Sequence, residues 1–121
     1  MSKSVLIVDD SLYMRTLIQD ALEVEGFKIV GLAANGEEAI DLAFALQPDY
    51  ITLDNILPDM IGTEILKVYH TEGLRSKVVM ISAVGLESVV NEGIMLGAKA
   101  YVVKPFTSQQ LIEAISKADS Q

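Results

Sequence analysis

Apolar positions along this chain follow two alternating periods, and each switch between them marks a change of element. Four near-continuous apolar runs, VLIV (5–8), YITL (50–53), VVMI (78–81) and AYVV (100–103), are aliphatic and β-branched with almost no polar face. Strands covered on both sides by helices in a parallel sheet require that pattern. A fifth run, FKIVGL (27–32), alternates more and contains Gly31, which predicts a weaker strand at a sheet edge.

Between these runs the period becomes helical, with apolar residues at i, i+3, i+4 and i+7. The sets are Met14, Leu17, Ile18, Ala21, then Ala39, Leu42, Ala43, Leu46, then Leu111, Ala114, Ile115, Ala118. Two less regular helices, around 63–71 and 87–96, are bounded by Gly62, Gly73 and Gly97. Ser11, Gly36 and Thr107 serve as start signals and Gly26 as a stop. Five strand-then-helix repeats with no linker predict one α/β domain, a doubly wound parallel sheet with helices on both faces. Right-handed crossovers leave few topologies for it.

Composition narrows the function. A chain of 121 residues supports one core that hides roughly two-thirds of the unfolded surface. There are no cysteines, hence no disulfide framework and no thiolate metal site. No apolar run reaches membrane-spanning length and the first residues lack a signal-peptide pattern, so a cytoplasmic protein is expected. A net charge of −8 repels nucleic-acid phosphates and anionic bilayers, so neither is an expected partner.

In an open parallel sheet, ligands gather outside the carboxyl ends of the strands. The first strand is followed by Asp9 and Asp10, the third by Asp54, the fourth by Ser82, and the fifth by Lys104 and Pro105. After the second come only Ala33, Ala34 and Asn35, as suits an edge. Three carboxylates at one rim must either raise some of their pKa values or hold a cation. Their hard oxygens suit Mg²⁺, which takes one or two carboxylates together with waters and a phosphate. Taken alone, Asp9 and Asp10 are explained equally well by helix capping and solvation. Asp54 on the neighbouring strand tips the balance, because an aspartate beside a metal can attack phosphorus and form an acyl phosphate. Lys104 and Ser82 would then supply the cation and the hydroxyl that phosphoryl transfer needs. Singly, a lysine there is ordinarily solvated and a serine ordinarily a turn former; the set carries the reading.

With VLIVDD, LDNILPDMIG, MISAVG and AYVVKPF in place, the whole chain resembles the receiver domains of two-component response regulators, in particular the single-domain chemotaxis members. The resemblance implies a flavodoxin-like sheet of five strands in the order 2-1-3-4-5. It implies Asp54 as phosphoacceptor. Asp10 and Asp54 would ligate Mg²⁺ directly, Asp9 would act largely through water, and the main-chain carbonyl of Ile56 would complete the protein ligands. Ser82 would be the switch hydroxyl, Lys104 its cationic partner, Tyr101 an aromatic that moves inward with it, and Lys104–Pro105 a cis peptide. The implied protein is a signalling switch rather than an enzyme. A histidine kinase supplies the phosphoryl group and a downstream protein, such as a flagellar motor switch component, responds to it. A monomer is expected, with residues 1–121 forming the receiver and no output domain after Gln121. A phosphorelay intermediate or another single-domain regulator is the alternative.

Rival chemistries fit less well. An aspartate-nucleophile phosphohydrolase would need an acid/base aspartate where Ile56 stands and a cap insertion that is missing. A flavodoxin-like cofactor binder would need glycines and amides where two carboxylates stand, and neither G-x-x-x-x-G-K-[ST] nor G-x-G-x-x-G occurs. The chain departs from the commonest receiver pattern at Leu57, at Ser82 where threonine is frequent, and at Ile56 and Val84, where polar groups often orient water. His70 and Arg15 are expected at the solvated surface, and Met14 and Met60 in packing.

Overall fold

The computed structural model describes residues 2–120. Strands β1 (Ser4–Val8), β2 (Lys28–Ala33), β3 (Tyr50–Asp54), β4 (Lys77–Ser82) and β5 (Ala100–Val103) alternate with helices α1 (Leu12–Val24), α2 (Gly36–Leu46), α3 (Gly62–Thr71), α4 (Glu87–Met95) and α5 (Ser108–Asp119). The strands form one sheet in the order β2-β1-β3-β4-β5, every pair parallel. This is the doubly wound order implied by the resemblance.

Alternation along the buried strands divides the core between two layers. Val5 and Ile7 of β1 pack with Ile18 and Leu22 of α1 and with Leu111 and Ile115 of α5. Leu6 and Val8 point the other way, into a cluster with Ala39 and Ala43 of α2 and Ile65, Leu66 and Tyr69 of α3. Because β1, β3 and β4 are covered on both faces, they show no polar alternation.

β2 and β5 are the two edge strands, and the pairing of β2 slips: Val5 lies opposite Ile29, but Leu6 lies opposite Gly31. The residue skipped by this irregularity is Val30, and glycine follows for a steric reason. A Cβ on Gly31 would sit 2.8 Å from Leu46 Cδ1 and 3.1 Å from Leu6 Cδ1, too close for α2 to lie where it does.

Helix starts mostly follow the predicted signals. Ser11 and Thr107 are N-caps whose hydroxyls accept from Met14 N and Gln110 N, the latter completing a capping box. For α2 the cap is Asn35, whose side chain accepts from Glu38 N, and Gly36 is the first helical residue. Gly36 is needed there because a Cβ would overlap the Met60 side chain, 2.4 Å from its sulfur. Met14 and Met60 pack against the two core layers.

Candidate functional site

The strand ends place the site. Asp54 and Ser82 are the final residues of β3 and β4 rather than the first residues beyond them. Asp54 pairs with Ile81, so Ser82 stands one step further along the neighbouring strand. Pairing to β5 continues past its last strand residue, since Lys104 N donates to Ser82 O at 2.8 Å. The Lys104–Pro105 bond that follows is cis.

Backbone order at these ends converts into side-chain convergence. Asp9 continues the β1–β2 ladder, its N–H donating to Ala33 O at 3.0 Å. Its buried carboxylate accepts from Ser11 N at 2.9 Å through Oδ1 and from Lys104 Nζ at 3.0 Å through Oδ2. Lys104 Nζ also reaches Asp54 Oδ1 at 3.4 Å. Oxygens from Asp9, Asp10 and Asp54 all lie within 4.8 Å of one another. Asp9 and Asp54 are buried and Asp10 is exposed, so the cluster opens to solvent on the Asp10 side. Three carboxylates against one ammonium leave an excess of negative charge.

That excess shows in the protonation of the pair that meets at the centre. Asp54 is pushed up to about 6, first by burial and then by the negative charge of Asp9, with Lys104 opposing and Asp10 adding a little. Burial alone would lower Lys104. Its bond to Asp9 and the charges of Asp54 and Asp9 together outweigh that, and the ammonium is held above its ordinary value. An acid whose folded pKa exceeds its unfolded one binds its proton more tightly when folded. In chelator-containing buffer, therefore, Asp54 contributes a stability that grows as pH falls through about 6 towards about 4 and is lost as pH rises. Melting curves across that window should show Asp54→Asn above wild type at neutral pH, with a shallower gain on acidification. Parallel pH profiles for the two proteins would contradict this electrostatic picture.

Two residues outside the predicted set shape the rim. Arg15, expected in solvent, is half-buried, and its Nη1 donates to the main-chain carbonyl of Asp9 at 2.6 Å. It secures the β1–α1 turn that carries both acidic residues. A basic residue one turn into the helix was visible in the sequence, but a carbonyl partner leaves no sequence trace. Asp59, in the loop after Asp54, accepts from Gly36 N at 2.7 Å and Glu37 N at 3.1 Å. These bonds hold its carboxyl below the usual range and moor the loop to the N-terminus of α2. Asn55 N bonds Ile81 O, Gly62 N bonds Asn55 O and Leu57 N bonds Met60 O, which closes that loop compactly. Its turn leaves Ile56 59% exposed beside the cluster.

Beyond Ser82 the chain is held at one residue from two sides. Val84 N donates to Ser82 Oγ at 3.1 Å, and Tyr101 OH donates to Val84 O at 3.0 Å. The hydroxyl at the end of β4 and the aromatic on β5 thus share Val84 as a common partner. His70 lies exposed in the last turn of α3, away from this rim.

Comparison with known proteins gives a consistent result. The response regulator receiver domain profile matches residues 5–116. The chemotaxis protein CheY of Thermotoga maritima is 38% identical over 117 residues, which is 97% of this chain and 98% of that protein. Among solved structures, the signal receiver domain of NarL from Mycobacterium tuberculosis superimposes with a TM-score of 0.92 at 26% identity, covering 99% of this chain and 98% of that one. CheY in the CheX-CheY-BeF3-Mg complex from Borrelia burgdorferi gives a TM-score of 0.92 at 32% identity, over 98% and 90% of the two chains. Fold order, a rim of three aspartates with one lysine, and matches spanning nearly the whole sequence agree: the chain belongs to the response regulator receiver domains of two-component signalling.

Proposed function

We propose that this receiver is a phosphorylation-dependent switch in which Asp54 accepts a phosphoryl group from a histidine kinase and the acquired charge changes affinity for a separate target protein. The observation that carries this reading is the meeting of the Asp54 carboxylate with Lys104 Nζ inside an acidic cluster that opens to solvent. An Asp54 oxygen attacks the phosphorus of the kinase phosphohistidine. The O–P bond forms as the P–N bond breaks, and the departing imidazole nitrogen keeps the electron pair.

Receiver domains bind Mg²⁺ at an acidic pocket, and the donor set here fits: clustered hard oxygens whose charge one ammonium does not balance. Asp10 and Asp54 would hold the ion directly, Asp9 largely through water, with the Ile56 carbonyl as the remaining protein ligand. Bound there, Mg²⁺ supplies charge neutralisation for the carboxylates and the incoming phosphoryl oxygens. Lys104, kept protonated by its neighbours, stands ready for a phosphoryl oxygen on Asp54.

Ser82 and Tyr101 would carry the signal outward. When the Ser82 hydroxyl turns to a phosphoryl oxygen it leaves Val84 N, and Tyr101 is bonded to the carbonyl of that same residue. A change at Ser82 is therefore felt at Tyr101 through one shared residue, Val84. The output face is the surface around β5 and α5, and the relatives named chemotaxis protein CheY support a chemotaxis or motility role. We place the protein in the cytoplasm as a monomeric receiver; no helix among the described residues is long and apolar enough to cross a membrane. Incubation with acetyl phosphate and Mg²⁺, borohydride reduction of the acyl phosphate and peptide mapping should locate the modification at residue 54. Modification at another aspartate would overturn the reading.

The lifetime of the phosphorylated state follows from two apolar neighbours. Hydrolysis needs a water in line with the phosphorus, and the partly exposed Ile56 and Val84 side chains offer it no hydrogen bond. Phospho-Asp54 should outlast that of an Ile56→Asn/Val84→Glu double variant, each tenfold in rate being about 1.4 kcal/mol of barrier. Loss of the phosphorylated mass after donor removal measures it, and equal decay would show that these side chains do not set the lifetime.

A further inference from the structure

We propose that the groove between the C-terminal ends of α3 and α4, at the opposite end of the sheet from the acidic rim, docks an acidic peptide segment with aliphatic anchors. One wall is Lys67 and His70 of α3; the other is Ile94, Met95, Leu96 and Lys99 at the end of α4 and the turn into β5. The groove encloses about 590 Å³, and no carboxylate lines it. The adjoining groove over Arg75 and Lys77 lacks one too, so this end of the molecule is locally basic in a chain with seventeen acidic residues and nine basic ones.

Charge picks the occupant. Among the described residues only Lys104 forms an ion pair, so Lys67 and Lys99 keep their charge available. Offsetting the helix dipole explains His70, which sits in the last turn of α3. It does not explain Lys67, a turn earlier, or Lys99, past the end of α4. Lys99 is also fixed in place, its N–H donating to Val78 O at 2.8 Å. Apolar surface supplies the rest: Ile94 is 43% exposed and Met95 86%. Methionine's flexible, polarisable side chain adapts to varied aliphatic partners. A long polyanion or an anionic bilayer would feel the net charge of −8 of the whole molecule. A short peptide feels chiefly the cations within a screening length of about 8 Å. Acidic residues for the lysines and aliphatic ones for Ile94 and Met95 are the complementary pattern.

The test uses the intact protein and a short fluorescein-labelled peptide of alternating glutamate and leucine. Anisotropy should show saturable binding, and amide shifts in two-dimensional NMR should change chiefly over residues 67–71 and 94–99. Lys67→Glu/Lys99→Glu should weaken binding by about tenfold or more, because like charges then face the peptide. Met95→Ser should weaken it through the apolar contact alone. Peptides with glutamine for glutamate, or serine for leucine, should bind more weakly than the parent. All three substituted side chains are exposed, and an unchanged melting temperature in either variant confirms an intact fold. Undiminished binding by the charge-reversed variant, shifts centred elsewhere, no saturable binding, or tighter association with phosphatidylserine vesicles than with the peptide would each overturn the proposal.

Discussion

Lys104→Met is expected to weaken the fold and nearly silence the site. Among the described residues the ammonium is the only side-chain cation bonded to the carboxylates of Asp9 and Asp54, at 3.0 and 3.4 Å. Asp9 is 1% exposed, so without Lys104 its carboxylate keeps only the Ser11 N–H as a side-chain partner among the described residues. Removing one member of a fully buried pair costs roughly 3–5 kcal/mol, because the other charge is stranded. The Lys104 side chain keeps 22% of its exposure, which lets water compensate in part, and a loss of about 2–3 kcal/mol in chelator is the reasoned value. Loss of a preorganised cation for the phosphoryl oxygens should slow phosphorylation by acetyl phosphate on the order of 100-fold. Urea denaturation and time-resolved mass spectrometry check the two effects. Wild-type stability together with a wild-type rate would remove Lys104 from the site.

Asp10→Ala should behave in the opposite way. Asp10 is exposed and adds to the repulsion on Asp54, so its removal costs little in chelator and relieves some like-charge strain. The loss appears when Mg²⁺ is added. A ligand bound only by the native state stabilises it by RT ln(1 + [L]/Kd), about 2.7 kcal/mol at a hundredfold excess over Kd. Wild type should therefore melt higher in Mg²⁺ than in chelator, and Asp10→Ala should show almost no difference and almost no phosphorylation. An equal Mg²⁺ shift in both proteins would mean that the ion is held elsewhere.

These expectations rest on a site whose outline was legible in the sequence and whose internal contacts were not. Strands β1, β3 and β4 announce themselves because burial on both faces leaves no room for polar alternation, while the apolar run of β5 reads the same way although that strand lies at a sheet edge with Val103 exposed. The rule that ligands gather at strand carboxyl ends brings Asp9 and Lys104, 95 residues apart, to one place without any local signal. β2 is less regular because it lies at a sheet edge, and neither the slip of its pairing to β1 between Val5 and Leu6 nor the close approach of Leu46 to Gly31 can be read from hydropathy. Asp54 and Ser82 belong to their strands because ladder pairing to the next strand continues through them, and hydropathy does not report pairing. Arg15 and Asp59 were beyond reach for a related reason. Their partners are a carbonyl and two amides, and every residue except proline offers both groups.

Intact-mass spectrometry after incubation with acetyl phosphate, with and without Mg²⁺, tests the central assignment most directly when wild type and Asp54→Asn are run side by side. Wild type should gain a single phosphoryl group in Mg²⁺ and none in chelator, while Asp54→Asn, nearly identical in shape but without the nucleophilic carboxylate, should gain none in either buffer. Equal phosphorylation of the two proteins would contradict Asp54 as the acceptor.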